Sequence, residues 1–364
     1  MKKRYLLVLI LGAIALISPS SFADQLGKGY DFDGNGKRTF PCEQPLYQKV
    51  DLPTTSWQGL KNAQDAASHE LKRKQKEWQN RNQFVSAKTL AQTLLWLKQG
   101  ASTDQTISAT LIHGEDGCSN THFTGYFTPM LEVKSKPDKH FRFPLYRLPD
   151  VWPNKKKLTR HQIDVGKGLE AQGLELAYSA SLIDNYFAHV QGSVRVRYVD
   201  IGKQTTLAYA GKNGFSYKSI GRYLVENEFI LAKEISLDSI RHFFNTNPDK
   251  LLPFLSINDS YVFFRSVKDG PFASSGAQVT ALATAAVDPK YIPHGAVLLA
   301  EIPQFNKLGN VLGYQWRLLV AQDSGAAIKG PGHVDIYMGT GELAGEKAGA
   351  LHHYGRLYWL RVGM

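Results

Sequence analysis

Helix-forming residues dominate positions 61–81 and again 86–98, where Leu90, Leu94 and Leu97 recur at the spacing that places them on one helical face, with Gly100 as a stop. The N-terminal part is therefore expected to be helical. After Thr121 the texture changes to short aromatic and β-branched runs separated by Gly, Pro and Lys: HFTGYFTPMLEV, HFRFPLYRLP, GSVRVRYVDIG and TTLAYAG. Such runs read as strands. Helices predicted at 181–190 and 219–227 interrupt them, and a helical pair at 237–245 and 249–256 leads back to strands at 261–267, 296–302, 315–322, 334–338 and 357–362. The fold class this predicts is mainly β with helices (α+β). Two β regions separated by helices predict two lobes with a groove between them.

The stretch with most chemistry lies near the C-terminal end. Asp323 closes the apolar run LLVAQDSGAAIKG, Asp335 sits inside HVDIY, and Asp288 stands in AAVDPKYIPHG. Burial disfavours a carboxylate and raises its pKa, so a group of this kind can hold a proton near neutral pH and deliver it to a leaving oxygen. The alternative for each is a turn cap or a partner of strand-end N–H groups.

The run VAQDSGAAIKGPGHVDIYMG and the closing HHYGRLYWL resemble the C-terminal domain of the lytic murein transglycosylase A family, a domain named for its three aspartates. The resemblance continues in FTGYFTP (123–129), LAYSASLIDNYFAHVQGS from Leu176, YAGKNGFSYKSIGRYL from Tyr209 and YVFF (261–264). These blocks follow the family's order from about residue 120 onward; the N-terminal third is matched more weakly.

What the resemblance implies can be stated residue by residue. The fold would be a discontinuous catalytic domain, 24–129 plus 235–364, built around a double-psi β-barrel, with a second β-barrel inserted at 130–234 and hinges near Pro129 and 231–234. The reaction would cleave the bond between N-acetylmuramic acid and N-acetylglucosamine without water. The muramyl C6 hydroxyl attacks its own C1, an intramolecular step with a large effective-molarity advantage, and gives a 1,6-anhydro ring. One aspartate then suffices as acid and later as base. Asp335 matches the family's catalytic aspartate, and Val334 and Ile336 are expected to give it apolar cover. Asp323 is the second catalytic candidate, as a supporting carboxylate or a turn cap, whereas Asp288 before Pro289 is read as a cap only. For glycan contacts the candidates are Thr124 and Tyr126, Gln191 and Ser193, and Lys212 and Asn213. Their plain alternatives are core (Tyr126), helix stop and turn (191–193), and hairpin turn (212–213). Two other classes stay open: a non-catalytic, expansin-like glycan-binding protein, and a muramidase in which Asp323 and Asp335 divide acid and base roles while adding water.

Lys2, Lys3 and Arg4, an apolar run at 5–17, Pro19 and the small-residue site ending at Ala23 read as a signal peptide, 1–23, with an uncleaved anchor as the alternative. Export to the periplasm is expected, with outer-membrane association open; family members are often lipoproteins with a cysteine just after the apolar run, but here the first cysteine is Cys42. Cys42 and Cys118 could close one disulfide or stand as two thiols. With 43% hydrophobic residues in 364, the chain can bury the cores of two domains. Its net charge of +11, reduced to +8 without the leader, suits an anionic partner such as peptidoglycan or a membrane surface. No nucleic-acid signature accompanies the charge, and the basic stretch 69–81 reads as a solvated helix face. A peptidoglycan synthase complex is a candidate partner, and a monomer is expected. The half EF-hand at 31–36 has Cys42 where its last ligand should stand, and the only close histidine pair, His352 and His353, diverges, so no metal site is expected. No phosphate or dinucleotide loop is present, and no cofactor is implied.

Overall fold

The computed structural model of the chain describes residues 57–73, 83–101, 107–114, 120–231, 234–305 and 311–362. The leader, the glycine-rich arm at 31–36, and both Cys42 and Cys118 lie outside them. Two helices come first, α1 (Leu60–Lys72) and α2 (Ala87–Lys98). Ser86 caps α2, its hydroxyl accepting from the Thr89 N–H and so satisfying one of the first-turn donors. Leu90, Leu94 and Leu97 do share the buried face, and with Ala63, Ala66 and Ala67 of α1 they pack on Val297, Leu299, Leu318 and Val320.

Those four residues belong to a seven-stranded sheet in the order β1 (Ile107–Leu111), β13 (His352–Val362), β10 (Val297–Phe305), β11 (Val311–Asp323), β9 (Thr284–Ala286), β12 (His333–Thr340) and β2 (Asn120–Thr128). The near half of β13 also pairs with β2, closing six of these strands into a barrel, while β1 lies along the far half of β13. Strand side chains alternate between faces. Phe123, Ala285, Leu298, Leu319, Ala321, Val334, Ile336 and Leu357 therefore fill one core, and their neighbours on each strand face outward. Helix α8 (Glu342–Ala350) lies over β2, so close that a Cβ on Gly125 would stand 2.6 Å from the Cα of Ala348.

A second, six-stranded sheet runs β4 (Phe143–Tyr146), β5 (Glu175–Ser179), β3 (Met130–Lys134), β6 (Ser193–Tyr198), β7 (Lys203–Lys212) and β8 (Val262–Val267). A bridge from Arg147 to Phe264 brings its first edge back to its last, so this sheet is barrel-like too. Helices α3 (Arg160–Asp164), α4 (Leu182–Gln191), α5 (Ile220–Glu226), α6 (Leu237–Thr246) and α7 (Pro248–Leu255) accompany it. Arg160, 1% exposed, donates to the carbonyls of Asn258 and Ser260 and to Nδ1 of His189, which must stay neutral to accept.

The two barrel-like lobes and the mixed, strand-rich class are as the sequence predicts. One boundary is not: the return to the first lobe at 235 comes too early, because β8 pairs with β7. Ile240, Phe244 and Leu255 of α6 and α7 bury against Ile183 and Phe187 of α4, which keeps the chain with the second lobe until β8 is complete.

Candidate functional site

Register puts the acidic residues in one row. Asp323 on β11 and Asp335 on β12 both pair with Ala286 of the short strand between them, and Asp335 pairs on its other side with Thr124 of β2, itself opposite His352 of β13. Because paired residues share a face, Asp323, Ala286, Asp335, Thr124 and His352 all project from the outer face of the barrel. Val334 and Ile336 point the other way, into the core. They do not cover Asp335, contrary to the sequence expectation; period-two alternation turns immediate neighbours on a strand away from each other.

Burial nevertheless pushes Asp335 up to about 7, helped by the charge of Asp323 and opposed by the Thr124 hydroxyl, which donates to Oδ1 at 2.9 Å. Asp323 sits in a different setting. Its Oδ1 accepts the backbone N–H of Ser274 and of Ser324, each at 2.8 Å, and its Oδ2 accepts the Tyr126 hydroxyl at 2.8 Å. Burial raises its pKa above the ordinary carboxylate value, and these donors oppose the rise without cancelling it. Tyr126 is itself raised well above its ordinary value, by burial first and then by the Asp323 charge, so it remains a hydroxyl donor. The two buried carboxylates thus have unequal sets of donors. Asp335 has one hydroxyl donor and Asp323 has two amides and a phenol, so hydrogen bonding supports the anion at Asp323 more than at Asp335.

The donor set on Asp323 is anchored from behind. Arg73 of the first-lobe helices donates to the Ser275 carbonyl at 2.9 Å and pairs with Glu70, which accepts from Ser275 Oγ at 2.8 Å. The loop carrying the Ser274 N–H is thus tied to buried groups on α1.

From Asp335 the same outward face of β2 leads toward the second lobe. The rings of Tyr126 and Tyr337 lie 5.2 Å apart, and Thr128 reaches the Tyr337 hydroxyl at 3.0 Å and Ser193 Oγ at 3.3 Å. Gln191 ends α4 and accepts the Phe127 N–H at 3.0 Å, while Gly192, with φ 76°, supplies the left-handed turn that sends the chain into β6 and presents Ser193. Asp323, Asp335, Thr124 and Tyr126 are therefore together, with Gln191 and Ser193 where the lobes meet.

Lys212 and Asn213 are not part of this group. Lys212 is exposed at the end of β7. Asn213 is fully buried, donating to the carbonyls of Leu158 and Asp259 and accepting the Tyr261 N–H, so its amide has neither exposure nor hydrogen to offer a sugar. Asp288 is the cap the sequence suggests, accepting the N–H groups of Lys290 and Gly330. The sequence reading missed the amides of Ser274 and Ser324, and a ring stack of His333, His122 and Tyr354. The centroid separations in that stack are 4.9 and 4.7 Å. Hydrophobic periodicity signals neither feature: the Ser274 amide reaches Asp323 from a loop far away in the chain, and the stack joins three strands that are distant in sequence.

Comparison with known proteins fits this geometry. Residues 122–265 match the family described as the MltA specific insert domain, and residues 283–361 match the 3D domain. Membrane-bound lytic murein transglycosylase A of Escherichia coli (strain K12) is 37% identical over 277 residues, covering 73% of this chain and 74% of its own. The Vibrio cholerae serotype O1 protein of the same name is 38% identical over 257 residues, 70% of this chain and 69% of its own. Among solved structures, E. coli MltA with bound chitohexaose superposes with a TM-score of 0.76 at 31% identity, covering 93% of this chain and 99% of that one. A membrane-bound lytic murein transglycosylase from Agrobacterium tumefaciens gives 0.71 at 27% identity, with 86% and 95% covered.

Proposed function

The chain belongs to the MltA family of lytic murein transglycosylases, and on that premise we propose that it cleaves peptidoglycan glycan strands between N-acetylmuramic acid and N-acetylglucosamine, with Asp335 as the one acid and base. The E. coli relative solved with chitohexaose supports a glycan as the ligand. The observation that carries the reading is the inequality of the two carboxylates. Asp335 is protonated into the neutral range, whereas Asp323 is clamped by Ser274, Ser324 and Tyr126.

Protonated Asp335 gives its hydrogen to the departing glycosidic oxygen. The carboxylate left behind accepts the hydrogen of the muramyl C6 hydroxyl as that oxygen closes on C1, so no water enters and the aspartic acid is regenerated. The negative charge on clamped Asp323 favours the protonated form of its neighbour at the start of the cycle and sits two strands from the reacting centre. A muramidase needs the second carboxylate to activate water. Asp323, held by donors on both oxygens, is poorly placed to take a proton from water, which favours the one-acid reading. Thr124, Tyr126, Ser193 and Gln191 lie along the face on which a glycan strand would rest, with the strand running from the first barrel to the second. The inserted lobe, taken as 130 through the end of β8, supplies the far wall. We place the enzyme at the cell envelope, in keeping with relatives named membrane-bound.

The test is digestion of purified sacculi with wild-type and Asp335→Asn protein followed by mass analysis of the soluble muropeptides. Fragments lighter by one water than hydrolysis products, made by the wild type alone, are expected. Undiminished release by the variant would remove Asp335 from the role.

A further inference from the structure

Across β12, β2 and β13 two adjacent rows of side chains lie on the outer face of the barrel. One is Asp335, Thr124 and His352; the other, two residues along, is His333, His122 and Tyr354. The second row is a stack of rings: His333 on His122 at 4.9 Å and 24°, His122 on Tyr354 at 4.7 Å and 14°. Stacking fixes the plane of the His333 ring, and its Nε2 lies 3.1 Å from Thr124 Oγ1. A threonine hydroxyl has a single hydrogen, and here it points to Asp335 Oδ1 at 2.9 Å. Whenever Asp335 is ionised, the hydrogen between Thr124 and His333 must therefore come from the imidazole.

We propose that His333 is a positioning residue for Asp335, acting through Thr124: its Nε2–H donates to the threonine oxygen and fixes the hydroxyl toward the carboxylate. The inference rests on the reading of Asp335 as the acid. Donors in series polarise one another, so the chain from imidazole to hydroxyl to carboxylate stabilises the anion that forms as the glycosidic oxygen leaves. It also holds the carboxyl in one orientation while the C6 hydrogen is taken up. Among the described residues, the other titratable groups facing this region are Asp323 from β11, Tyr337 from β12, Tyr126 and His122 from β2, and Tyr354 and His352 from β13, the last with its pKa lowered by burial. None of them stands in the hydrogen-bonded line between His333 and Asp335.

His333→Phe keeps an aromatic ring for the stack and removes the donor. Expected are a fall in kcat of about tenfold with KM little changed, and an alkaline limb of the rate profile displaced upward by about half a pH unit, because the anion has lost support. His333→Gln, which carries an amide donor at the same reach, should recover most of the activity. In a Thr124→Val background the His333→Phe substitution should have no further effect. Independent, multiplicative losses in the double variant, or an unmoved pH profile in the single one, would overturn the proposal. Nitrogen-15 NMR of the wild-type imidazole above pH 8 gives a reading that does not depend on a variant folding. Protonated Nε2 on His333 is expected, and an Nε2 lone pair would overturn the proposal. Asp335→Asn, assayed alongside, separates the two levels. If that variant is active, the reading of the acid falls; if it is inactive while His333→Phe matches wild type, only the role of His333 falls.

Discussion

Replacing Asp335 by Asn should stabilise the protein while silencing it, and by an amount that depends on pH. Burial has moved the carboxyl from an ordinary 3.8 to about 7. A carboxyl with a raised folded-state pKa is disfavoured only when ionised. Wild-type stability should therefore fall as pH climbs from the unfolded value near 3.8 to the folded value near 7, then level off. At about 1.4 kcal/mol per pH unit the full shift corresponds to about 4 kcal/mol, and partial solvent contact reduces this to about 2–4 kcal/mol. The asparagine side chain has nearly the same shape, can still accept the Thr124 hydroxyl and carries no charge. Urea unfolding of both proteins at pH 4, 6 and 8, with m-values compared to confirm matching transitions, should show almost no difference at pH 4 and the whole difference at pH 8. Subtracting one protein from the other removes every titration they share. A stability difference independent of pH, or wild type the more stable at pH 8, would refute the claim that burial keeps this acid protonated.

Tyr126→Phe takes one donor from Asp323 at a cost of about 1.5–3 kcal/mol. By making Asp323 easier to neutralise, it should lower the pKa of Asp335, moving the alkaline limb of the pH–rate profile down, opposite to the displacement expected for His333→Phe. Gly125→Ala would set a methyl 2.6 Å from the Ala348 Cα; forcing α8 away from β2 should cost about 2 kcal/mol and reduce kcat, because Thr124 and Tyr126 flank the position. Gln191→Ala removes the acceptor of the Phe127 N–H between the lobes. It should cost about 1–2 kcal/mol in thermal unfolding and raise KM for glycan strands more than it lowers kcat.

Local order was legible in the chain. The leucines of α2, the helices expected at 181–190 and 219–227, and the strands from β10 to β13 follow from spacing and residue type, and the structure places them within a few residues of expectation. Adjacency was not legible. Asp323 and Asp335 stand in one row only because β9, three residues long, pairs parallel to β11 and antiparallel to β12. Nothing in TAA announces that. For the same reason the burial of Asp335 was right in direction and wrong in cause. The flanking Val334 and Ile336 face the core and so do not cover the carboxyl on the other face of the strand. Asn213 shows the converse: an Asn-Gly pair reads as a turn, yet its side chain closes a buried clasp on Leu158, Asp259 and Tyr261, contacts that no local pattern encodes.

In the proposed reaction one buried carboxyl moves a proton twice and water takes no part. Digesting sacculi in heavy-oxygen water and weighing the new muramyl ends tests this most directly. Anhydro ends free of solvent oxygen are predicted for the wild type, with none formed by Asp335→Asn; heavy oxygen at those ends would contradict the account.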